Sequence, residues 1–150
     1  MISDKFRTIY ITPFANKIDI TKETDVGSKY RIYRASLETD VTKAVTNKYL
    51  FDGNLKPTRQ ESADLVLKGE LVEFRKDPLR YDINDEVLEY RINVVVNISL
   101  TDTKENKLVW QENSFTGQST YLTTGTEGTA ITDAISDLAR RIVERTVEQW

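Results

Sequence analysis

The chain has 150 residues and a formal net charge of −3 at pH 7, and it contains neither cysteine nor histidine. This length suits one domain with a substantial core, and 39% hydrophobic with 30% charged residues is typical of a globular chain rather than a disordered segment or a membrane span. The composition excludes disulfides, thiolate metal sites, a Ser-His-Asp triad and a histidine base, and the acidic balance gives no overall basic field to recruit nucleic acid.

The first third of the chain predicts a strand, a loop and a helix. Residues 7–14 (RTIYITPF) are β-branched and aromatic, as in a strand, and the polar residues 15–27 have no period and indicate a loop. Between positions 30 and 50 apolar residues recur at steps of three and four, which predicts an amphipathic helix with Ser28 as its cap. Its many threonines lower helix propensity, so packing has to hold this helix in place.

A second strand and a hairpin arm follow. Residues 64–74 (DLVLKGELVEF) predict the strand, and Gly69 within it marks a bulge or a close backbone approach. The chain then enters a polar arm in which Pro78 interrupts the ladder of hydrogen bonds. Turn-forming residues place the tip of this hairpin near Asn84 and Asp85.

Residues 88–100 carry the clearest secondary-structure signal in the sequence. Seven apolar residues alternate with polar ones, and Val95 is the one exception on the polar side. A period of two over this length predicts an antiparallel strand with one buried and one solvated face. A shift of one residue would turn the apolar side chains outward, so the register is tightly set.

The C-terminal part predicts a fourth strand over residues 108–117, a Thr- and Gly-rich linker over residues 119–128 and a final helix with one apolar stripe. On the wetter side of the helix two ion pairs stand at the i,i+4 spacing: Asp137–Arg141 and Arg140–Glu144. The order β-α-β-β-β-α over residues 1–150 predicts a single α+β domain. We expect a two-layer sandwich in which two helices cover one face of a four-stranded, mostly antiparallel sheet.

Three patterns that resemble chemical sites favour ordinary structure. Residues 82–86 alternate Asp, Asn and Glu like the start of a calcium loop, but Val87 stands where the loop needs glycine and Asn93 where it needs glutamate. The segment 125–128 (GTEG) precedes a helix without the spacing or the lysine of a phosphate loop. Carboxylates are plentiful, as a hydrolase using carboxylates alone would need, but no pair stands out. We predict no catalytic residue, no metal site and no cofactor.

A small basic cluster and the arm around it are the candidate binding features. Arg75, Lys76 and Arg80 can meet phosphates or an acidic partner, and the alternative is a charged strand edge that protects against aggregation. The tip of the arm is the predicted partner interface, with Tyr81, Asn84 and Asp85. An exposed aromatic fringe of the sheet is a further candidate, with these members: Phe74, Tyr81, Phe115 and Tyr121.

Four segments resemble the LptE family of lipopolysaccharide-assembly lipoproteins. They are residues 11–17 (ITPFANK), residues 63–70 (ADLVLKGE), residues 100–110 with LTDT and KLVW at their two ends, and residues 138–150 of the closing helix. Similar patterns occur in other small envelope lipoproteins, including relatives of the curli-secretion type. The order and spacing of the four segments, which span nearly the whole chain, favour LptE.

The resemblance implies a non-enzymatic protein at the periplasmic face of the outer membrane. It would plug or support the LptD β-barrel and help deliver lipopolysaccharide, whose phosphates Arg75, Lys76 and Arg80 are expected to contact. The family is anchored through a lipidated cysteine after its signal peptide. Because the sequence has no cysteine, we expect a soluble form that begins downstream of that residue. The alternative is an accessory lipoprotein of another envelope secretion or transport complex with a similar small fold.

Overall fold

The computed structural model describes residues 5–18 and 34–149 of the chain. Those residues form six strands, two α-helices and one short 3-10 turn at Gln60–Ser62. In chain order the main elements are β1 (Thr8–Ile11), β2 (Ala15–Asn16), α1 (Leu37–Asp52), β3 (Lys56–Pro57), β4 (Leu65–Tyr81), β5 (Val87–Asp102), β6 (Lys107–Leu122) and α2 (Glu127–Glu148).

The strands form one mixed sheet in the order β3-β1-β4-β5-β6, and β2 pairs with β4 further along the edge that β1 occupies. The three long strands are antiparallel to one another, whereas β1 and β2 run parallel to β4. The predicted α+β class with two helices is confirmed. The predicted four-stranded sheet is wrong in detail, because the first strand divides in two and β3 adds a short strand beside β1.

Pro13 explains why the predicted first strand is two strands. Proline has no N–H to donate, and the N–H of Phe14 leaves the sheet and donates to Thr42 Oγ1 in α1 at 2.9 Å. Before this break the chain is still hydrogen-bonded to β4, because the Thr12 N–H donates to the Leu67 carbonyl at 3.0 Å. The break therefore turns the chain toward the first helix while both halves stay on one edge of β4.

The third predicted strand is confirmed as β5, and it is one residue longer at its start and two at its end. Five of its alternating apolar side chains are buried on the helix side of the sheet: Ile92, Val94, Val96, Ile98 and Leu100. Leu88 and Tyr90, at the start of the same row, are less completely covered. The core therefore ends partway along β5, and the rest of the strand extends beyond it.

Two strands are longer than predicted. We expected the second strand to end at Phe74 and the fourth at Gly117, but β4 continues to Tyr81 and β6 to Leu122. Beyond the core, polar residues occupy both faces of these strands, so the apolar pattern stops while the backbone ladder continues. Since β6 stays paired with β5 as far as Glu89, the predicted two-stranded arm has three strands.

A bulge in β4 corrects one side-chain assignment. The register of β4 on β5 shifts between Leu71 and Glu73, so Val72 is an extra residue. Such an insertion reverses the alternation that follows. Phe74 therefore points to the helix side and is only 3% exposed, so its predicted place in an exposed aromatic fringe is wrong.

Two glycines permit close approaches within the core. A Cβ on Gly69 would lie 2.6 Å from Cζ of the Phe14 ring, which confirms the predicted close approach at this residue. A Cβ on Gly117 would lie 2.6 Å from the Ala134 carbonyl oxygen and would also overlap Leu138. Gly117 therefore sets how closely α2 lies on the sheet.

The first helix begins later than predicted. Residues 34–36 are not helical, and Ser36, directly before α1, has a left-handed conformation with φ of 58°. Ser28 and residues 30–33, which belong to the predicted helix and its cap, lie outside the described residues. The helix ends at Asp52, two residues beyond the predicted range, and is capped by Gly53, whose φ of 80° suits glycine and whose N–H donates to the Tyr49 carbonyl at 3.1 Å.

The final helix packs its apolar stripe on β5 and β6 and contacts α1. A buried hydrogen bond of 2.7 Å joins the Tyr49 hydroxyl to Thr146 Oγ1 across the two helices. The Thr146 hydroxyl donates to the Ile142 carbonyl at 3.0 Å, so Tyr49 is the donor of the pair. Both predicted ion pairs on the wetter side are present at 2.9 Å: Asp137–Arg141 and Arg140–Glu144.

Asp137 also covers part of the exposed edge of the sheet. Its Oδ2 accepts the backbone N–H of Gln118 in β6 at 2.9 Å, and no further strand of the described residues lies beside this donor. Burial alone would raise the pKa of Asp137, but this N–H and the guanidinium groups of Arg140 and Arg141 outweigh it and lower the pKa. The carboxylate thus ties α2 to the edge strand in its charged form.

Asp137→Asn is expected to lower the free energy of unfolding at pH 7 by about 1–2 kcal/mol, as for loss of a charge-assisted hydrogen bond. A lowered folded-state pKa contributes stability above the unfolded-state value of about 3.9, and this contribution is lost as pH falls through the folded-state pKa. Chemical denaturation at a series of pH values from 7 to 2.5 therefore measures the difference in free energy of unfolding between the variant and the unsubstituted protein. This gap should close below about pH 4. The exposed Asp133→Asn is the control, and a gap that persists at pH 2.5 would contradict this role.

Candidate partner interface on the hairpin arm

The arm comprises residues 75–81 of β4, 87–91 of β5 and 118–122 of β6, with the turn 82–86 at its tip. The pairing is irregular between Pro78 and Arg80, which confirms the predicted interruption at Pro78. No residue between positions 75 and 91 belongs to the buried core. The arm is therefore an extension of the sheet that other contacts have to hold in place.

Those contacts form a brace at the start of α2, which we define as Lys76, Tyr90, Tyr121 and Glu127. Glu127 Oε2 accepts hydrogen bonds from Lys76 Nζ at 3.1 Å and from the Tyr121 hydroxyl at 2.7 Å. Lys76 Nζ also lies 4.6 Å from the centroid of the Tyr90 ring, and that ring stacks on Tyr121 at 5.7 Å between centroids. The brace fastens the arm to the helix layer.

The brace shifts the pKa of two of its own groups. The hydrogen bond from the Tyr121 hydroxyl lowers the pKa of the Glu127 carboxyl by more than burial raises it. Lys76 lowers this pKa further. Burial and the neighbouring carboxylate raise the pKa of Tyr121. Glu127 is therefore a carboxylate and Tyr121 a neutral donor at neutral pH, which is the combination that their hydrogen bond requires.

The structure divides the predicted basic cluster between the two faces of the arm. Lys76 lies on the helix side, where it takes part in the brace. Arg75 pairs with Asn93, and Arg80 pairs with Glu89. Both arginines therefore lie on the face of the sheet opposite the two helices, which we call the open face. Of the three residues of the cluster, only Arg75 and Arg80 therefore lie on the same face of the arm.

Both open-face arginines are held by carboxylates. Arg75 lies 2.7 Å from Glu73 and 3.1 Å from Asp77. Burial alone would lower the pKa of Arg75, but these two carboxylates outweigh burial and raise it. Arg80 Nε lies 3.1 Å from Glu89 Oε1. The open face of the arm therefore presents ordered but locally balanced charges.

Arg91 is a candidate contact that the sequence reasoning missed. It pairs with Asp77 across β4 and β5, between the positions of Arg75 and Arg80, and so lies on the same open face. Among the described residues no carboxylate lies within ion-pair distance of its guanidinium. Its place on the polar side of the third predicted strand was the signal that could have identified it.

The tip is a well-formed turn rather than a loose loop, as predicted. Asp82 Oδ1 accepts the N–H groups of Asn84 at 2.7 Å and Glu86 at 3.0 Å, and the Asp82 N–H donates to the Glu86 carbonyl at 2.8 Å. Asp85 has a left-handed φ of 62°, which Asp tolerates. Of the predicted partner interface, Tyr81, Asn84 and Asp85 are all exposed at this end of the arm.

The predicted aromatic fringe does not form. Tyr81 is the one exposed member, since Phe74 is buried and both Phe115 and Tyr121 pack against the core. Phe115 pairs with Val96, and Tyr121 pairs with Tyr90, so both of these side chains point toward the helices. The aromatic residues of the arm therefore serve its attachment more than its outer surface.

Two depressions lie elsewhere on the described surface. One of about 240 Å³ is on the open face and is lined mainly by polar side chains: Lys68, Glu70, Asn97, Ser99 and Gln111. The other, of about 590 Å³, runs between α1 and α2 beside the exposed Phe51. In residues 5–18 and 34–149 no three carboxylates come together as metal ligands, and no helix has the length and apolarity to cross a bilayer.

The fold and the arm define a class of protein: a two-layer α+β domain whose sheet carries a braced extension. The family model of the lipopolysaccharide-assembly protein LptE matches residues 6–146, so the chain belongs to the LptE family. This confirms the resemblance found in the sequence. The family is one of non-enzymatic, outer-membrane-associated lipoproteins of lipopolysaccharide assembly. No curated protein matches the chain by sequence.

Solved structures with the same fold include two lipoproteins. The minor lipoprotein of Acinetobacter baumannii is 14% identical with a TM-score of 0.56, covering 95% of this chain and 92% of that one. Rare lipoprotein B of Shewanella oneidensis is 13% identical with a TM-score of 0.53, covering 95% of both chains. PelC of Paraburkholderia phytofirmans, a dodecamer, is 15% identical with a TM-score of 0.52, covering 92% and 90%. At these identities the likeness concerns the fold.

Proposed function

We propose that this domain is the binding partner of an LptD-type outer-membrane β-barrel, which it plugs or supports from the periplasmic face while lipopolysaccharide is delivered to the cell surface. The observation that carries this proposal, beyond family membership, is the braced arm, which presents an ordered tip outside the core. A rigid domain with such an extension can meet a barrel wall without rearranging. It acts by binding, and the lipid anchor of the family would hold it at the membrane.

Co-purification tests this function directly. The domain should be captured by a detergent-solubilised LptD barrel and should bind lipopolysaccharide in solution. Both results are expected, and their joint absence would reject the proposal. Capture without lipopolysaccharide binding would leave a purely supporting role.

The open face of the arm is the proposed lipopolysaccharide contact, formed by Arg75 and Arg80 of the predicted cluster with Arg91 between them. Their guanidinium groups suit phosphate oxygens, and no carboxylate of the described residues lies within ion-pair distance of Arg91. Lys76, the third member of the predicted cluster, faces the helices and is held by Glu127 at 3.1 Å. Lys76 therefore contributes by positioning the arm.

Replacing Arg75, Arg80 and Arg91 together by Gln is expected to weaken lipopolysaccharide binding about tenfold or more, because each charge-assisted hydrogen bond contributes about 1.5–3 kcal/mol. Affinity measured by titration at two salt concentrations, with the melting temperature as a folding check, tests this. Arg59→Gln, at an exposed position before the 3-10 turn, is the matched control. Equal affinity of the triple variant would make this face a solvated, charged surface.

A second function is an accessory role in another envelope secretion or transport complex. The likeness of the fold to PelC, which assembles as a dodecamer, favours this alternative. Analytical ultracentrifugation separates the two functions. A ring of many copies without barrel capture would support the second function, and a monomer captured by the barrel would support the first.

A further inference from the structure

The tip of the arm carries an unusual concentration of exposed apolar side chains, which we define as the apolar tip: Tyr81, Ile83, Leu88 and Leu122. Ile83 is 97% exposed, Tyr81 52%, Leu122 48% and Leu88 38%. Three further exposed large apolar residues are described, Leu50, Phe51 and Leu108. None of them belongs to the arm, so the apolar tip is a distinct feature of one end of the molecule.

The apolar tip surrounds the end of the arm rather than lying on one face. Leu122 is in the row of Glu89 and Arg80 and therefore lies on the open face. Tyr81 follows Arg80 along β4 without an inserted residue and therefore points to the opposite side. Ile83 lies in the turn beyond both. A surface that docks flat needs apolar groups on one side, whereas groups at the apex and on both sides suit insertion into a recess.

The charges in the turn at this end are all negative, and the nearby Arg80, next to Tyr81, is paired with Glu89 at 3.1 Å. Residues 81–88 (YDINDEVL) include three carboxylates and no basic residue. The Asp82 carboxylate accepts hydrogen bonds within the turn, while Asp85 and Glu86 are exposed and have no ion pair with any described residue. Carboxylates beside an apolar apex repel an anionic lipid surface and attract basic groups. The charge therefore favours a protein recess with a basic rim over a bilayer.

The arm holds the apolar tip in place before any partner arrives. The turn is closed by the Asp82 hydrogen bonds, and β6 is fastened beside the tip by the Thr123 N–H, which donates to the Leu88 carbonyl at 2.9 Å. Further back, the brace joins the arm to α2. Insertion would therefore order few additional residues, which lowers the entropic cost of binding.

We propose that the apolar tip inserts into an apolar recess, rimmed by Lys or Arg residues, on the protein partner of this domain. This inference rests on the proposed function for the identity of that partner, the barrel, and adds the chemistry of the surface that receives the tip. Ile83 is the central contact, and Asp85 with Glu86 meets the basic rim.

The test uses the detergent-solubilised barrel and the domain in a binding titration. Ile83→Asp is expected to weaken barrel binding at least tenfold with an unchanged melting temperature, because a fully buried Ile contributes about 1.5–3 kcal/mol. Leu108→Asp, exposed and at the opposite end of β6, is the matched control and should bind normally. The double variant Asp85→Lys, Glu86→Lys should also weaken binding, and more strongly at low salt.

The outcomes separate this inference from the proposed function. Capture of the unsubstituted domain together with equal binding of Ile83→Asp would overturn the inference and leave the function standing. No capture of the unsubstituted domain would overturn both. A third outcome is that the domain sediments with phosphatidylglycerol vesicles and loses this sedimentation in the Ile83→Asp variant. That result would show that the apolar tip binds lipid, and it would also overturn the inference.

Discussion

Gly117→Val is expected to lower the free energy of unfolding by more than about 3 kcal/mol, at or beyond the upper end of the usual cost of overpacking a core. The new Cβ would meet the Ala134 carbonyl oxygen at 2.6 Å and also the backbone of Leu138. No side-chain rotation relieves a contact with helix backbone, so α2 has to move away from the sheet. For a chain of this size the melting temperature should fall by about 10 °C, which thermal circular dichroism measures.

Gly128→Ala is the matched control for this prediction. Gly128 lies in the first turn of α2, and a Cβ there would have nothing within 4 Å. Alanine should therefore raise the free energy of unfolding by up to about 1 kcal/mol, because it reduces the freedom of the unfolded chain. If Gly117→Val and Gly128→Ala melted at the same temperature, the close contact between α2 and the sheet would be wrong.

Leu67→Ala is expected to cost about 2–5 kcal/mol, the range for truncating a fully buried leucine. Leu67 is completely buried in β4, between Ile11 of β1 and Leu100 of β5. Neighbours on both sides are fixed by backbone hydrogen bonds, so the cavity cannot close easily. Denaturant titration should show a lower midpoint with an unchanged slope.

Leu108→Ala removes the same atoms from an exposed position. Leu108 is 57% exposed at the start of β6, and its truncation should change the free energy of unfolding by no more than about 0.5 kcal/mol. The difference between the two leucines measures burial at constant chemistry. Similar costs at both positions would mean that Leu67 is not in the centre of the core.

The core could be predicted from the sequence because its pattern is local. The alternation in β5 and the stripe of α2 each require only one element to be read, and both were located correctly. The orientation of Phe74 depends on the bulge at Val72, which is a property of the pairing between two strands. The division at Pro13 likewise depends on Thr42 in α1, which receives the Phe14 N–H.

The candidate site was less predictable because it is made of polar residues. Sequence neighbours suggested that Arg75, Lys76 and Arg80 act together, but alternation along β4 sends Lys76 to the other face. Arg91 joins the open face through strand pairing alone. The extension of β6 beside the arm left no apolar period to read, although it makes the arm three strands wide.

No core residue lies between positions 75 and 91, so the end of the arm is separate from the packing that keeps the domain folded. Substitutions at the end of the arm are therefore expected to cost little of the free energy that keeps the domain folded. The sheet and helices behind the arm, in contrast, are close-packed and tolerate few changes of side-chain volume. The end of the arm is therefore the part of this scaffold that tolerates redesign at the least cost in stability.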